Sequence, residues 1–167
     1  MTLLQRAGAR IIGLTYTRFM TALMTLGWRE YVALPELGIR RLKTKVDTGA
    51  RTSAIHAFFV EKLAGGRVRF GIHPRRKSQR EIWIQTDMTD ERWVTDSGGH
   101  RELRPVIRTL IEVGGKRWPI ELTLTARDNM KFRMLLARTA LAGRFVVDPG
   151  QSYALGRPQR KSAKARK

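Results

Sequence analysis

From residue 28 onward, apolar residues come in short runs alternating with polar ones, and no long helical period develops. Residues 42–46 read Leu-Lys-Thr-Lys-Val with period two, and residues 31–34, 54–60 and 68–72 are further short runs. Runs of this length, bounded by Gly, Asn, Asp and charged clusters, predict strands. Residues 82–84 and 92–94 read as hairpin partners around the turn-rich segment 87–90. Residues 106–113 and 118–125 form the clearest pair, because the intervening Gly114-Gly115 readily adopts the positive φ angles of a tight hairpin. A single short helix is expected over residues 135–141. The expected fold class is all-β.

The same pattern divides the chain. Its 167 residues suffice for one domain with a hydrophobic core and are short for two. In residues 1–27 the apolar stretches are interrupted by Arg6, Arg10 and Arg18, so none reaches the ~20 residues of a spanning helix. This segment lacks the apolar centre and cleavage site of a secretory signal. It reads as a weakly ordered basic extension, the alternative being an amphipathic helix lying on a membrane or a partner. Residues 28–156 are the expected domain. Residues 157–167 are a polar basic tail expected to be disordered.

Composition narrows the chemistry. There is no cysteine, which excludes disulfides, thiolate metal sites and cysteine nucleophiles and is compatible with the cytoplasmic location expected here. Lys and Arg number 33 against 14 Asp and Glu, a net charge of +19. Such an excess attracts polyanions: nucleic acid, the ribosome, an anionic surface or an acidic protein segment. It leaves open a non-enzymatic, nucleic-acid- or ribosome-associated binding module as the alternative function. The basic cluster Arg75, Arg76, Lys77 and Arg80 reads as a solvated loop. Trp28, Trp83, Trp93 and Trp118 read as core or flanking packing on alternating strands, although exposed tryptophans also stack nucleic-acid bases.

One segment carries candidate catalytic chemistry, Val46-Asp47-Thr48-Gly49-Ala50. A carboxylate activates water when it is poised, and two carboxylates sharing one proton achieve this. Here a strand delivers Asp47 into a turn where Gly49 permits close backbone approach and the Thr48 hydroxyl is placed to lock the turn. The same tripeptide also makes ordinary solvent turns, so the surrounding sequence has to decide.

That surrounding sequence includes Gly27-Trp28-Arg29-Glu30, the run Lys45-Val46-Asp47-Thr48-Gly49-Ala50-Arg51-Thr52-Ser53-Ala54, Ile72-His73-Pro74, and Val94 through Thr95-Asp96-Ser97-Gly98-Gly99-His100-Arg101-Glu102. Trp118-Pro119-Ile120-Glu121, Arg127-Asp128-Asn129-Met130 and Phe132-Arg133-Met134-Leu135-Leu136 follow. Taken together these resemble the retropepsin-like aspartic endopeptidase family, and within it the bacterial branch labelled ATP-dependent zinc proteases, found near ATP-grasp glutamate ligases. The resemblance implies an acid-protease β-barrel protomer with one short C-terminal helix. It also implies a catalytic Asp47-Thr48-Gly49 turn and a covering hairpin tipped by Ser97, Gly98 and Gly99. Ala50, Arg51, Arg101 and Arg104 would face substrate. Ala137 stands where the family carries Gly, and Arg51 matches the bacterial branch rather than the viral enzymes.

One Asp-Thr-Gly per chain supplies half of a dyad, so resemblance and chemistry both imply a homodimer. The three arginines are expected to converge near the cleft and to favour acidic peptides, in keeping with glutamate-rich protein tails as substrate. The alternative pairs them with local acids such as Asp96 and Glu102. The zinc and ATP of the branch label find little support. There is no His-Glu-x-x-His, the single histidines His56, His73 and His100 are widely spaced, and no Gly-rich phosphate loop precedes a Lys-Ser/Thr pair. The expectation is therefore no cofactor.

Overall fold

The computed structural model describes residues 23–75, 79–95, 98–126 and 131–156. Its strands are β1 (Met24–Gly27), β2 (Arg29–Leu34), β3 (Ile39–Asp47), β4 (Ser53–His56), β5 (Phe59–Leu63) and β6 (Arg67–Ile72). These are followed by β7 (Ile82–Asp87), β8 (Asp90–Thr95), β9 (Arg101–Val113), β10 (Lys116–Thr125), β11 (Met134–Ala137) and β12 (Phe145–Asp148). The 3-10 turn Pro35–Leu37 joins β2 to β3, and one helical turn, α1 (Arg138–Leu141), follows β11. The class is all-β, as the periodicity implies. None of the helices among the described residues is long and apolar enough to cross a membrane.

Alternation closes the main sheet into a ring. In β3, Ile39, Leu42, Thr44 and Val46 are buried while Lys43 and Lys45 are exposed. The strands run β10-β4-β11-β3-β2-β9, β9 pairs again with β10, and β8 adds on beside β9. Closure removes the unpaired edges that an open sheet would expose. Inside lie Leu34, Leu42, Ile55, Ile107, Leu122 and Leu136. The β9–β10 hairpin turns at Gly114 (φ 56°) and Gly115 (φ 79°), the two positive values that its tight loop requires. A separate three-stranded sheet, β5-β6-β7, and the parallel pair β1-β12 complete the molecule.

Three local expectations change. Residues 82–84 and 92–94 are not partners: β7 pairs with β6, whereas β8 pairs with β9. The chain changes sheets between them, where Met88 N–H donates to Gly66 O and Thr89 N–H to Val106 O. These contacts lie far from the turn in sequence, so periodicity does not register them. The run 54–60 is split at Ala57 and Phe58 into β4 and β5, which join different sheets. Helix 135–141 shortens to Arg138–Leu141, because the apolar pair Leu135-Leu136 pairs in parallel with Lys45 and Val46 of β3. A short apolar run looks alike in either conformation until its partners are known.

Ordered structure also takes in residues assigned by sequence to the N-terminal extension, since β1 pairs with β12 from Met24↔Phe145 to Gly27↔Asp148. The remainder of that extension and the tail 157–167 lie outside the described residues. Glu30 fastens the junction. It is fully buried, and its Oε1 accepts the N–H of Gly27 and of Ala154, each at 2.8 Å. Beside it the Arg29 guanidinium lies over the rings of Trp28 and Tyr153. The Gly-Trp-Arg-Glu motif thus ties the start of the barrel to its last loop. Hydrogen bonds to a charged group contribute about 1.5–3 kcal/mol each, and orphaning their buried donors adds to the loss. Glu30→Ala is therefore expected to lower unfolding free energy by about 3 kcal/mol, read as a fall in the denaturant midpoint with unchanged slope.

Candidate active site

Asp47 closes β3, and the backbone beyond it folds back at once. Its Oδ1 accepts the N–H of Gly49 and of Ala50, both at 3.2 Å. The turn is thus closed by the Asp47 carboxylate itself, whereas the sequence assigned that lock to Thr48, which stands exposed. Gly49 is exposed and Ala50 half-buried.

The turn is gripped from behind by the segment that replaces the expected helix. Ala137 pairs with Asp47 across β3 and β11, and its N–H donates to Ser53 Oγ at 3.1 Å. Arg138 N–H donates to Ala50 O, and Thr139 donates to Arg51 O through both its N–H and its hydroxyl. Thr123 Oγ1 donates to Ser53 O. Ala137, the departure from the family glycine, is fully buried here, with its backbone used on both sides.

The Asp47 side chain is 26% exposed, and Lys45 Nζ lies 3.9 Å from its Oδ2. Lys45 also lines a cavity of about 240 Å³. Ala54, Phe132 and Leu135 give that cavity apolar walls, and Arg104, Thr125 and Lys131 complete it. Its floor follows from register, for Leu135 pairs with Lys45 on one side and Ala54 on the other. Arg104 is 5% exposed. Its Nε donates to Glu102 Oε2 at 2.8 Å, and Thr125 Oγ1 donates to the same oxygen at 3.1 Å. The Arg104 Nη2 is buried without a hydrogen-bond partner.

The hairpin of β8 and β9 carries two different faces. Arg92 and Arg104 are register partners, as are Trp93 and Leu103 one step along. Arg104 lines the cavity; Trp93 is 59% exposed, with the Arg101 guanidinium 4.8 Å from its ring centre. Strand alternation therefore separates Arg101 from Arg104, and the expected convergence of three arginines does not occur within the chain. Arg51 is exposed. Arg104 pairs with Glu102, as the alternative anticipated. Gly98 and Gly99 lie in the connection from β8 to β9, while Ser97 and Asp96 lie outside the described residues. Of the tryptophans, Trp118 is buried, but Trp83 and Trp93 are exposed.

His56 is buried in β4, His73 stacks on Phe58 with its Nδ1 3.3 Å from Arg80 O, and His100 is exposed near the hairpin tip. No group of three His, Cys, Asp or Glu side chains able to hold a metal ion occurs among the described residues.

Residues 25–158 match the family described as RimB-like, retropepsin-like aspartic endopeptidase RimB. The chain belongs to that family. A solved structure from Legionella pneumophila, of a protein of unknown function, matches with a TM-score of 0.65 and 22% identity over 79% of this chain and 98% of that one. That likeness concerns the fold alone. Among curated relatives, a protein of Shewanella pealeana named probable alpha-L-glutamate ligase is 42% identical over 135 residues, 78% of this chain. A Desulfotalea psychrophila protein of the same name is 41% identical over 141 residues, 82% of this chain. The chain spans 30% of the length of each.

Sequence reading missed the placement of this cavity, although part of it was visible. Lys45 lies two residues before Asp47 on one strand, which puts both side chains on one face. Glu102 and Arg104 share a face for the same reason. Thr125, Lys131 and Phe132 come from other segments and carry no local signal.

A clamp holds β8 to the barrel strand β10. Arg92 forms a two-pronged pair with Glu121 of β10, at 2.5 and 2.9 Å, and its Nε donates to Asp90. The Arg92 hydrogen bonds hold both carboxyls below the usual carboxylate range. A carboxyl whose folded pKa is depressed contributes stability above its unfolded pKa and loses it as pH falls through the folded value. The stability difference between the native chain and Arg92→Gln is accordingly expected to be present at neutral pH and to shrink below about pH 4. Denaturant melts of both proteins across pH measure it.

Proposed function

We propose that this chain is an aspartic-type endopeptidase whose dyad forms between the Asp47 carboxylates of two copies. The observation that carries the reading is the Asp47 turn: a partly exposed carboxylate oriented by two backbone amides, at the end of a strand braced by β11 and α1. Membership of a retropepsin-like endopeptidase family supports it. Among the described residues, the polar groups in contact with that carboxylate are the two turn amides and Lys45. The acid–base pair needs a second carboxylate, and a two-fold axis beside the turn supplies it.

In the resulting mechanism one Asp47 is ionised and takes a proton from water as that water attacks the scissile carbonyl. The other is protonated and donates to the carbonyl oxygen as negative charge develops there. The first Asp47 then gives its proton to the amine nitrogen as the C–N bond breaks, the second takes back a proton from the gem-diol hydroxyl as the carboxylic acid product forms, and no covalent enzyme intermediate arises. The amides on Oδ1 fix the orientation of each carboxyl, leaving Oδ2 for water and for the second protomer.

For substrate, the reading is an acidic, glutamate-rich protein tail. A net charge of +19 draws such a segment, and the cavity beside Asp47 is lined by Lys45, Arg104 and Lys131. The relatives named probable alpha-L-glutamate ligase carry a region like this chain over 30% of their length, which associates it with glutamate.

Asp47→Asn is expected to reduce cleavage of glutamate-rich peptides by at least about 10³-fold, the scale on which general acid–base catalysis is lost. Mixing a fourfold excess of Asp47→Asn chains into native protein, with time for exchange, is expected to lower turnover per native chain through mixed dimers. Turnover that simply tracks the amount of native chain would exclude a shared dyad.

A further inference from the structure

Away from the Asp47 turn, the outer face of β2 and β3 gathers cations around a set of aromatic rings. Alternation turns Arg29 and Tyr31 of β2 outward, while Glu30 and Val32 are buried. In β3 the same rule leaves Lys43 exposed between buried Leu42 and Thr44, and register sets it opposite Tyr31. Arg41 lies 4.1 Å from the Tyr31 ring centre, Tyr31 stacks on Tyr153 at 4.8 Å, and the Arg29 guanidinium lies 5.0 Å from Tyr153 and 4.5 Å from Trp28. Lys43 Nζ lies 5.4 Å from the Phe132 ring and 6.0 Å from Tyr153. Tyr153 takes its place at φ 58°, the one non-glycine residue with positive φ among the described residues, in a region that favours glycine. Its N–H donates to Arg29 O at 2.9 Å, which ties the strained residue to β2.

Contact with a ring orients a cation without neutralising it. No ion pair to Arg29, Arg41 or Lys43 occurs among the described residues. The acids on β2, β3 and β12 are engaged elsewhere. Glu30 is buried with Gly27 and Ala154, Asp47 holds its own turn and Lys45, and Asp148 takes Gly150 and Gln151. The hydrogen bond from Arg41, with the charges of Arg41 and Lys43, holds the Tyr31 hydroxyl below the ordinary tyrosine pKa, as positive potential should.

These features define a partner. Tyr31 already takes Tyr153 and Arg41, and Tyr153 already takes Arg29, so these rings are engaged with one another and with the cations. What remains on offer is positive charge and oriented N–H donors. A phosphodiester backbone is recognised by those two features alone, and the guanidinium fork matches its oxygens. We propose that the outer face of β2 and β3 is a docking surface for a single strand of nucleic acid, held through its phosphates by Arg29, Arg41 and Lys43 without reading of the bases. Lys45, the next outward residue of β3, is paired with Asp47 and takes no part. The peptidase reading is not needed for this assignment.

Binding of a fluorescent oligouridylate of about 15 nucleotides to the full chain tests it, with anisotropy read from about 0.05 to 0.2 M salt. Arg41→Gln with Lys43→Gln is expected to weaken binding at least about tenfold at the low-salt end, and to lower the slope of log affinity against log salt by about 1.4, the share of two phosphate contacts. Arg108→Gln with Lys116→Gln removes the same charge from exposed positions on β9 and β10, and is expected to cost less than about twofold and to leave the slope unchanged. Equal losses from the two double variants overturn the assignment. So does a glutamate peptide of equal charge that binds as tightly as the oligouridylate and is weakened as much by Arg41→Gln with Lys43→Gln. Should that double variant fail to fold, limited lysine acetylation of the native chain, read by mass spectrometry, decides. Oligouridylate is expected to shield Lys43 and not Lys116, and equal shielding of the two overturns the docking surface.

Discussion

Everything in the proposed chemistry depends on the parallel pairing of β11 with β3. That pairing brings Ala137 against Asp47 and sets the first turn of α1 behind residues 50 and 51. Parallel strands cannot be joined by a tight turn, so most of the barrel's strands lie between β3 and β11 in the sequence. The Asp47 turn consequently depends on the whole fold, held by hydrogen bonds from residues about 85 positions away in sequence. Burial of Ala137 shows how little slack the arrangement has, for its methyl group sits fully enclosed while both of its backbone neighbours are engaged. Placing a reactive carboxylate on rigid elements braced by a second layer is what preorganisation requires.

Charge is distributed by face rather than by amount. A net +19 reads as a diffuse attraction for polyanions, yet the arginines do different work once the strands are laid down. Arg92 is consumed in binding β8 to β10, Arg101 lies over Trp93, and Arg104 lines the cavity near Asp47. Alternation along β9 separates Arg101 from Arg104, while Arg92, opposite Arg104, is drawn off by Glu121. The exposed Trp93 and Leu103 on the outer side of the β8–β9 hairpin are its other consequence.

Much of this was legible beforehand. The all-β class followed from period-two runs, the β9–β10 hairpin from Gly114-Gly115, and the family from the motif around Asp47 together with its neighbours. What was not legible depends on pairing between distant segments. Residues 82–84 and 92–94 look like hairpin partners because the turn between them is locally persuasive, but each strand finds a better neighbour elsewhere. Leu135-Leu136 reads as the start of a helix because a short apolar pair has no period of its own. Glu30 belongs to the Gly-Trp-Arg-Glu motif, but its burial was hidden because one of its two amide partners, Ala154, lies on a segment that only the closed fold brings near. The Arg104 cavity was hidden for the same reason: its lining comes from β3, β4, β9, β10 and β11 and from residues 131 and 132, and no stretch of sequence displays it.

The central claim is that one cleft is built from two chains. The most direct measurement is the binding stoichiometry of a glutamate-rich peptide whose scissile amide is replaced by a secondary alcohol, a mimic of the hydrated carbonyl that a shared dyad should hold. Calorimetric titration of the native chain is predicted to saturate at one such peptide per two chains, with binding lost in Asp47→Asn. Saturation at one peptide per chain, or binding indifferent to Asp47, would contradict the account.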